Sequence, residues 1–215
     1  ALKTISSNPD DERNTEMFRI LGESYFYSGD YARSLRYFSD YEKRQTLTTR
    51  EDLYLTGIAN YELENYQDAV VRLEKTISED DLLTQSAFLY LGHAYTENGN
   101  PNKARMAFES ASRYDHDKSL KEEALFNFAV STYNTAFSPF NESVNAFTQF
   151  LEEFPDSGHS LQAYRYLANV YLTTSNYEEA YRSISALKTD NANIQKAKQR
   201  LLFNRGGDAF NKPDL

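Results

Sequence analysis

Residues Phe88 to Phe108 read FLYLGHAYTENGNPNKARMAF, and the spacing of their apolar side chains decides the fold. Phe88, Leu91, Gly92 and Tyr95 share one face of a helix. Gly99 permits a sharp reversal, and Pro101, Ala104 and Phe108 begin a second apolar stripe. The same two sets occur upstream as Phe18, Leu21, Gly22 and Tyr25, then Tyr31, Ser34 and Phe38. They recur downstream as Tyr164, Leu167, Ala168 and Tyr171, then Tyr177, Ala180 and Ile184. Paired amphipathic helices in a fixed period predict an all-α stack of helix pairs.

The small residue of each first helix falls at Gly22, Gly57, Gly92, Ala129, Ala168 and Gly206, at intervals of 35, 35, 37, 39 and 38. A bulky side chain there would hold the two helices of a pair apart. Ala69, Ala104 and Ala180 do the same work on the second helices, and Phe38, Leu73, Phe108, Phe147 and Ile184 fill what remains. Asp30, Asn65, Asn100, Asn176 and Asp214 each follow a small residue by eight positions and are expected to cap the next helix with their side chains. The spacing predicts helices near 15–28, 31–44, 50–63, 66–78, 84–97, 101–113, 121–136, 140–153, 159–174, 177–188 and 194–211. Residues 1–14 read as a lead-in segment or the tail of a missing repeat. Repeats lie near 15–49, 50–84, 85–121, 122–160 and 161–198, with a partial sixth at 199–215. The hinge Ala136–Pro139 is longer than the others, and Pro139 is expected to start the next helix.

Bulk composition narrows the work such a stack can do. The 215-residue chain carries 23 basic and 32 acidic residues, a net charge of −9. That balance argues against nucleic acid and against an anionic membrane surface. Without cysteine there is no disulfide framework and no thiolate metal site. No run approaches the roughly 18 apolar residues of a membrane span. The chain begins without Met and reads as a trimmed or processed piece, so an export signal could lie upstream.

No catalytic constellation emerges. His93, His116 and His159 share no ligand spacing, and Gly206-Gly207 lacks the context of a dinucleotide fingerprint. Glu79-Asp80-Asp81 and Asp115-His116-Asp117 read as linkers with helix caps, and the sequon at Asn141 falls in a predicted helix. No enzyme activity and no cofactor or metal is expected.

These residues resemble the tetratricopeptide repeat over nearly the whole chain. The first, third and fifth units are closest. In the second, Thr56 and Asn60 replace the family's usual Leu and Tyr, and Tyr61 is shifted by one place. The resemblance implies a right-handed α–α superhelix whose first helices line a concave groove. Counted from Thr15, Arg50, Gln85, Glu122 and Leu161, the candidate partner-binding residues are Arg19, Glu23, Phe26, Tyr27, Tyr54, Ile58, Tyr61, Glu62, Leu89, His93, Phe126, Val130, Tyr133, Asn134, Arg165 and Asn169. The set is rich in aromatics, the commonest binding anchors, and in acids, which favour a neutral or basic partner. Members that clamp a carboxylate use Lys and Asn at places held here by Arg19, Glu23, Tyr54 and Ile58, and only Asn169 matches by type. A carboxylate clamp is therefore not expected.

The stretch Phe147–Ser157 and its continuation to Ala168 resembles bacterial cell-envelope members, of the Tol–Pal-associated coordinator and outer-membrane assembly lipoprotein types. That implies the periplasm or the periplasmic face of the outer membrane, with the cytoplasm as the alternative. The expected function is a non-catalytic scaffold that binds a protein or peptide partner in its groove. Two alternatives are a small-ligand or glycan-binding envelope module and a structural segment that homodimerises through its truncated last repeat.

Overall fold

The structure is a computed structural model that describes residues 13–44, 48–135 and 140–211. Eleven α-helices and no strand are present among them. They run α1 Arg13–Tyr27, α2 Tyr31–Glu42, α3 Arg50–Glu62, α4 Tyr66–Glu74, α5 Leu82–Glu97, α6 Pro101–Ser112, α7 Lys118–Asn134, α8 Phe140–Glu153, α9 Ser160–Thr173, α10 Tyr177–Ala186 and α11 Ala192–Asn211. The lead-in residues 1–12, the hinge 136–139 with Pro139, and the expected cap Asp214 lie outside the described residues. Two compact units divide the chain, Ala1–Lys121 and Glu122–Leu215.

In unit one each helix pair closes on its glycine. A Cβ built on Gly22 would stand 2.8 Å from the Phe38 ring, one on Gly57 2.8 Å from Leu73, and one on Gly92 2.4 Å from Phe108. Phe38, Leu73 and Phe108 are buried, so each large residue fills the hollow that its glycine leaves. Ser34, Ala69 and Ala104 face the same crossings and are buried as well. The Ser34 hydroxyl donates to the Gly22 carbonyl at 2.8 Å, which satisfies a polar group inside the crossing. Gly206 departs from the expected pattern. Nothing among the described residues lies within 4 Å of a Cβ there.

The turn inside each pair of unit one is one device used three times. Asp30, Asn65 and Asn100 donate their backbone N–H to the carbonyls of Tyr25, Asn60 and Tyr95 at 2.8–2.9 Å. The residue before each takes a left-handed conformation: Gly29 at φ 78°, Glu64 at φ 62° and Gly99 at φ 71°. This is the six-to-one closure of a helix C-terminus, and Glu64 occupies it without glycine's freedom.

Side-chain capping is less uniform than the sequence suggests. Asp30 accepts from the Arg33 N–H at 3.1 Å, and Asn176 from that of Glu179 at 3.3 Å. Asn65 and Asn100 make no such bond, although both begin helices. The Asn100 amide turns back to the Asn98 carbonyl, and nothing in the structure explains the idle Asn65.

Helix ends otherwise fall within a few residues of the spacing. The largest shift is α4, which stops at Glu74 instead of near 78. Its last turn tightens, with Lys75 and Thr76 bonded to carbonyls three residues back. The Arg50 side chain then takes the Thr76 carbonyl at 2.9 Å and grips Asp81 through two bonds of 2.7 and 3.0 Å. One repeat later Gln85, fully buried, does the equivalent work on the Tyr114 and Asp117 backbone. Asp81 and Asp117 cap α5 and α7, which start two to three residues earlier than expected.

Within unit one, α1 touches α3 and α3 touches α5, whereas α2, α4 and α6 make no such contacts with one another. The first helices therefore converge and the second helices splay, which makes the first-helix side the inner side of this unit. In unit two, α9 packs on α8 and α11 around a core that includes Phe147, Phe150, Leu167, Tyr171 and Ile184.

Candidate interaction surfaces

The first helices of unit one carry ten of the expected groove residues, in different surroundings. Ile58 and Leu89 are buried at 5% and 3% exposure and belong to the packing between helices. Arg19 is half-buried and bound on its own helix. It donates to Glu16 at 2.9 Å and to Glu23 through a shorter contact. Hydrogen bonding to Glu16 holds the Arg19 guanidinium even more firmly charged than usual, and holds the Glu16 carboxyl below the ordinary range. This triad spends its positive charge internally.

Tyr54 bridges two repeats, its hydroxyl 2.6 Å from the Ser86 hydroxyl, and burial raises its pKa. Its ring also borders an open cavity with Asp81, Leu82, Leu83, Ser86, Asp117 and Leu120. Tyr61 sits at the centre of an aromatic group. Its ring centroid lies 5.7 Å from Tyr66, 5.6 Å from Tyr90 and 6.3 Å from His93. His93 in turn meets the Phe108 edge at 5.1 Å. Phe26 packs edge-on against Tyr27 and Tyr31, and Tyr27 itself is 78% exposed. Glu62 is exposed beside this group, as are Glu51 and Glu97, and none of the three forms an ion pair among the described residues.

Unit two contributes a separate surface. Phe126 is buried, stacked on His159 at 4.4 Å and tilted against Phe150 at 5.3 Å, so it is core and not groove. Val130 and Tyr133 are half-buried, with Tyr133 held 5.1 Å from Tyr166. Asn134 is exposed. Arg165 and Asn169, also exposed, line a cavity of about 380 Å³ together with Leu161, Gln162 and Tyr166. Tyr66, Tyr90 and Tyr166 are the participants that the spacing did not single out. Tyr90 and Tyr166 meet their partners across a repeat boundary, whereas Tyr66 meets Tyr61 within its own repeat.

No group of three or more potential metal ligands comes together among the described residues, and no described helix is long and apolar enough to cross a membrane.

Fold and surfaces together describe an α-helical repeat protein of the kind that offers side chains from successive first helices. Residues 21–81 match the tetratricopeptide repeat family model. Solved structures extend the likeness over the chain. YrrB, described as a TPR protein with an unusual peptide-binding site, superposes with a TM-score of 0.62 at 18% identity, covering 92% of this chain and 97% of its own. MamA MSR-1 gives 0.60 at 18% identity, covering 88% and 99%. A tetratricopeptide repeat protein from Parabacteroides merdae gives 0.54 at 16% identity, covering 94% and 76%. No curated protein matches. The fold is that of tetratricopeptide-repeat solenoids.

Proposed function

We propose that the chain is a non-catalytic scaffold whose unit-one inner side binds a basic, partly apolar segment of a protein partner. One observation carries this reading. Tyr27, Glu62 and Glu97 stand exposed on the first helices of unit one, while Arg19 on those helices is already neutralised by Glu16 and Glu23. Exposed aromatics beside unpaired carboxylates suit a segment that carries Lys or Arg next to aliphatic residues. The fold supports a protein partner, and the description of YrrB as peptide-binding is in keeping with it.

The test is fluorescence anisotropy with basic, neutral and acidic variants of one aliphatic peptide. The basic peptide is expected to bind, more weakly at high salt, and Glu62→Lys with Glu97→Lys to lower affinity about tenfold or more. Equal binding of the acidic peptide, or an unchanged affinity in the folded charge-reversed variant, would refute the reading. The proposal extends to a bacterial cell-envelope setting, which rests on the Phe147–Ser157 phrase. Recovery of the protein solely in the cytosol of its native cell would end that part.

A further inference from the structure

The second helices of unit one leave an outer groove between successive repeats, and this groove exists twice. Between the second and third repeats it is a cavity of about 290 Å³ whose lining includes Leu91 and Tyr95. Between the first and second repeats it is a cavity of about 570 Å³. Every residue lining the smaller cavity has its counterpart, 35 positions earlier, in the lining of the larger one. The two cavities thus occupy equivalent places, and the larger one reaches further, to Leu35, Phe38 and Thr48.

Tyr95 explains the smaller volume. Its ring is buried at 7% exposure, its hydroxyl donates to Glu74, and the Lys103 ammonium lies 5.1 Å from its centroid. In the larger cavity Asn60 stands where Tyr95 does, and Thr56 stands where Leu91 does. The Asn60 side chain is short and 7% exposed. Its amide donates to the Thr56 carbonyl at 2.8 Å, and its own carbonyl oxygen accepts no bond from the described residues. At the wall, Arg72 replaces an alanine and is held as a flat pair against Glu42, with a bond of 3.0 Å to the second carboxylate oxygen and 3.3 Å to the Thr56 hydroxyl. Lys103 is replaced by Asp68. The larger cavity thus lacks the phenol that its twin supplies from within. It keeps apolar sides from Leu35, Phe38, Leu53 and Val71, a planar wall suited to stacking, and an unused acceptor at its base.

We propose that this outer groove between the first and second repeats takes a tyrosine side chain from a partner peptide, entering from outside the space that Tyr95 fills from within one repeat later. The phenol ring lies along the Arg72–Glu42 pair, and its hydroxyl donates to the Asn60 carbonyl. The site is on the second-helix side of unit one and is independent of the inner-side reading. Its variants leave Tyr27, Glu62 and Glu97 untouched.

The experiment is amide-resolved NMR titration with N-acetyl-tyrosinamide, N-acetyl-phenylalaninamide, and a short peptide with a central tyrosine. The tyrosine amide is expected to shift Thr56, Asn60 and Arg72 saturably, and the phenylalanine amide to bind about tenfold more weakly for want of the hydroxyl. The peptide is expected to bind more tightly than the amide. Asn60→Tyr fills the cavity from within and should abolish all three responses. If that variant fails to fold, Thr56→Leu narrows the same cavity and should weaken them. An absence of saturable shifts at these residues, or shifts that persist undiminished in the filled variants, overturns the proposal. Equal affinity for amide and peptide overturns the assignment to a peptide and leaves a free phenol as the occupant.

Discussion

Gly92→Ala is the sharpest test of how the repeats close. In an ordinary exposed helix this change stabilises by about 1 kcal/mol, because alanine loses less backbone entropy. Here the new Cβ would stand 2.4 Å from two carbons of the Phe108 ring. That ring is 2% exposed and enclosed, so it cannot swing aside. Overpacking of a filled core costs about 1–3 kcal/mol. The gain and the cost together predict a net loss of up to about 2 kcal/mol. Gly206→Ala is the internal control, since nothing lies within 4 Å of its Cβ, and it should gain up to about 1 kcal/mol. Urea unfolding followed by far-UV circular dichroism measures both, with amide hydrogen exchange in unit one to locate the loss. A third variant isolates the cause. In a Phe108→Ala background, itself costing about 3–5 kcal/mol, Gly92→Ala should turn stabilising. If Gly92→Ala stabilises the wild-type protein as Gly206→Ala does, the crossing is not sterically determined and the packing argument fails.

Other perturbations probe different physics. Glu64 holds a left-handed backbone at φ 62°, so Glu64→Gly should raise stability by about 0.5–1 kcal/mol in thermal unfolding, while Gly99→Ala at the equivalent turn should lower it by a similar amount. Ala104 is 1% exposed at its crossing, and Ala104→Leu should cost about 1–3 kcal/mol in the same assay. Hydrogen bonds from Arg50 and from the Thr84 backbone hold the Asp81 carboxyl far below the usual carboxylate range. Its contribution is therefore complete above the unfolded value of about 4 and fades as pH falls below it. Asp81→Asn should flatten the fall in stability on acidification below about pH 4, and an unchanged slope would show that Asp81 is not linked to folding.

The helix pairs were legible because their signals are local or strictly periodic. Gly22 with Phe38, Gly57 with Leu73 and Gly92 with Phe108 lie 16 residues apart in the sequence, and the crossing geometry of one pair relates them without reference to any other repeat. The candidate surface was legible only in part. The expectation for Tyr61 and His93 could name the helix face, but not that Tyr66 and Tyr90 would join them. Ile58, Leu89 and Phe126 occupy groove positions by counting, yet each is covered by neighbouring side chains. Thr56 and Asn60 were visible as departures from the repeat. That they enlarge an outer cavity was not, because its opposite wall comes from α2 of the preceding repeat.

Sequence alone therefore determined the order of the helices, the three glycine crossings of unit one, and the excess of acid over base. These follow from side-chain volume, backbone freedom and charge, which each residue carries wherever it stands. Tertiary structure alone decided which inner side chains remain open, that Arg19 is neutralised by its own helix, and that one outer groove is filled by a tyrosine while its twin is not. Those outcomes depend on atoms brought together from different repeats, and the free energy of a side chain is set by the neighbours that exclude its water.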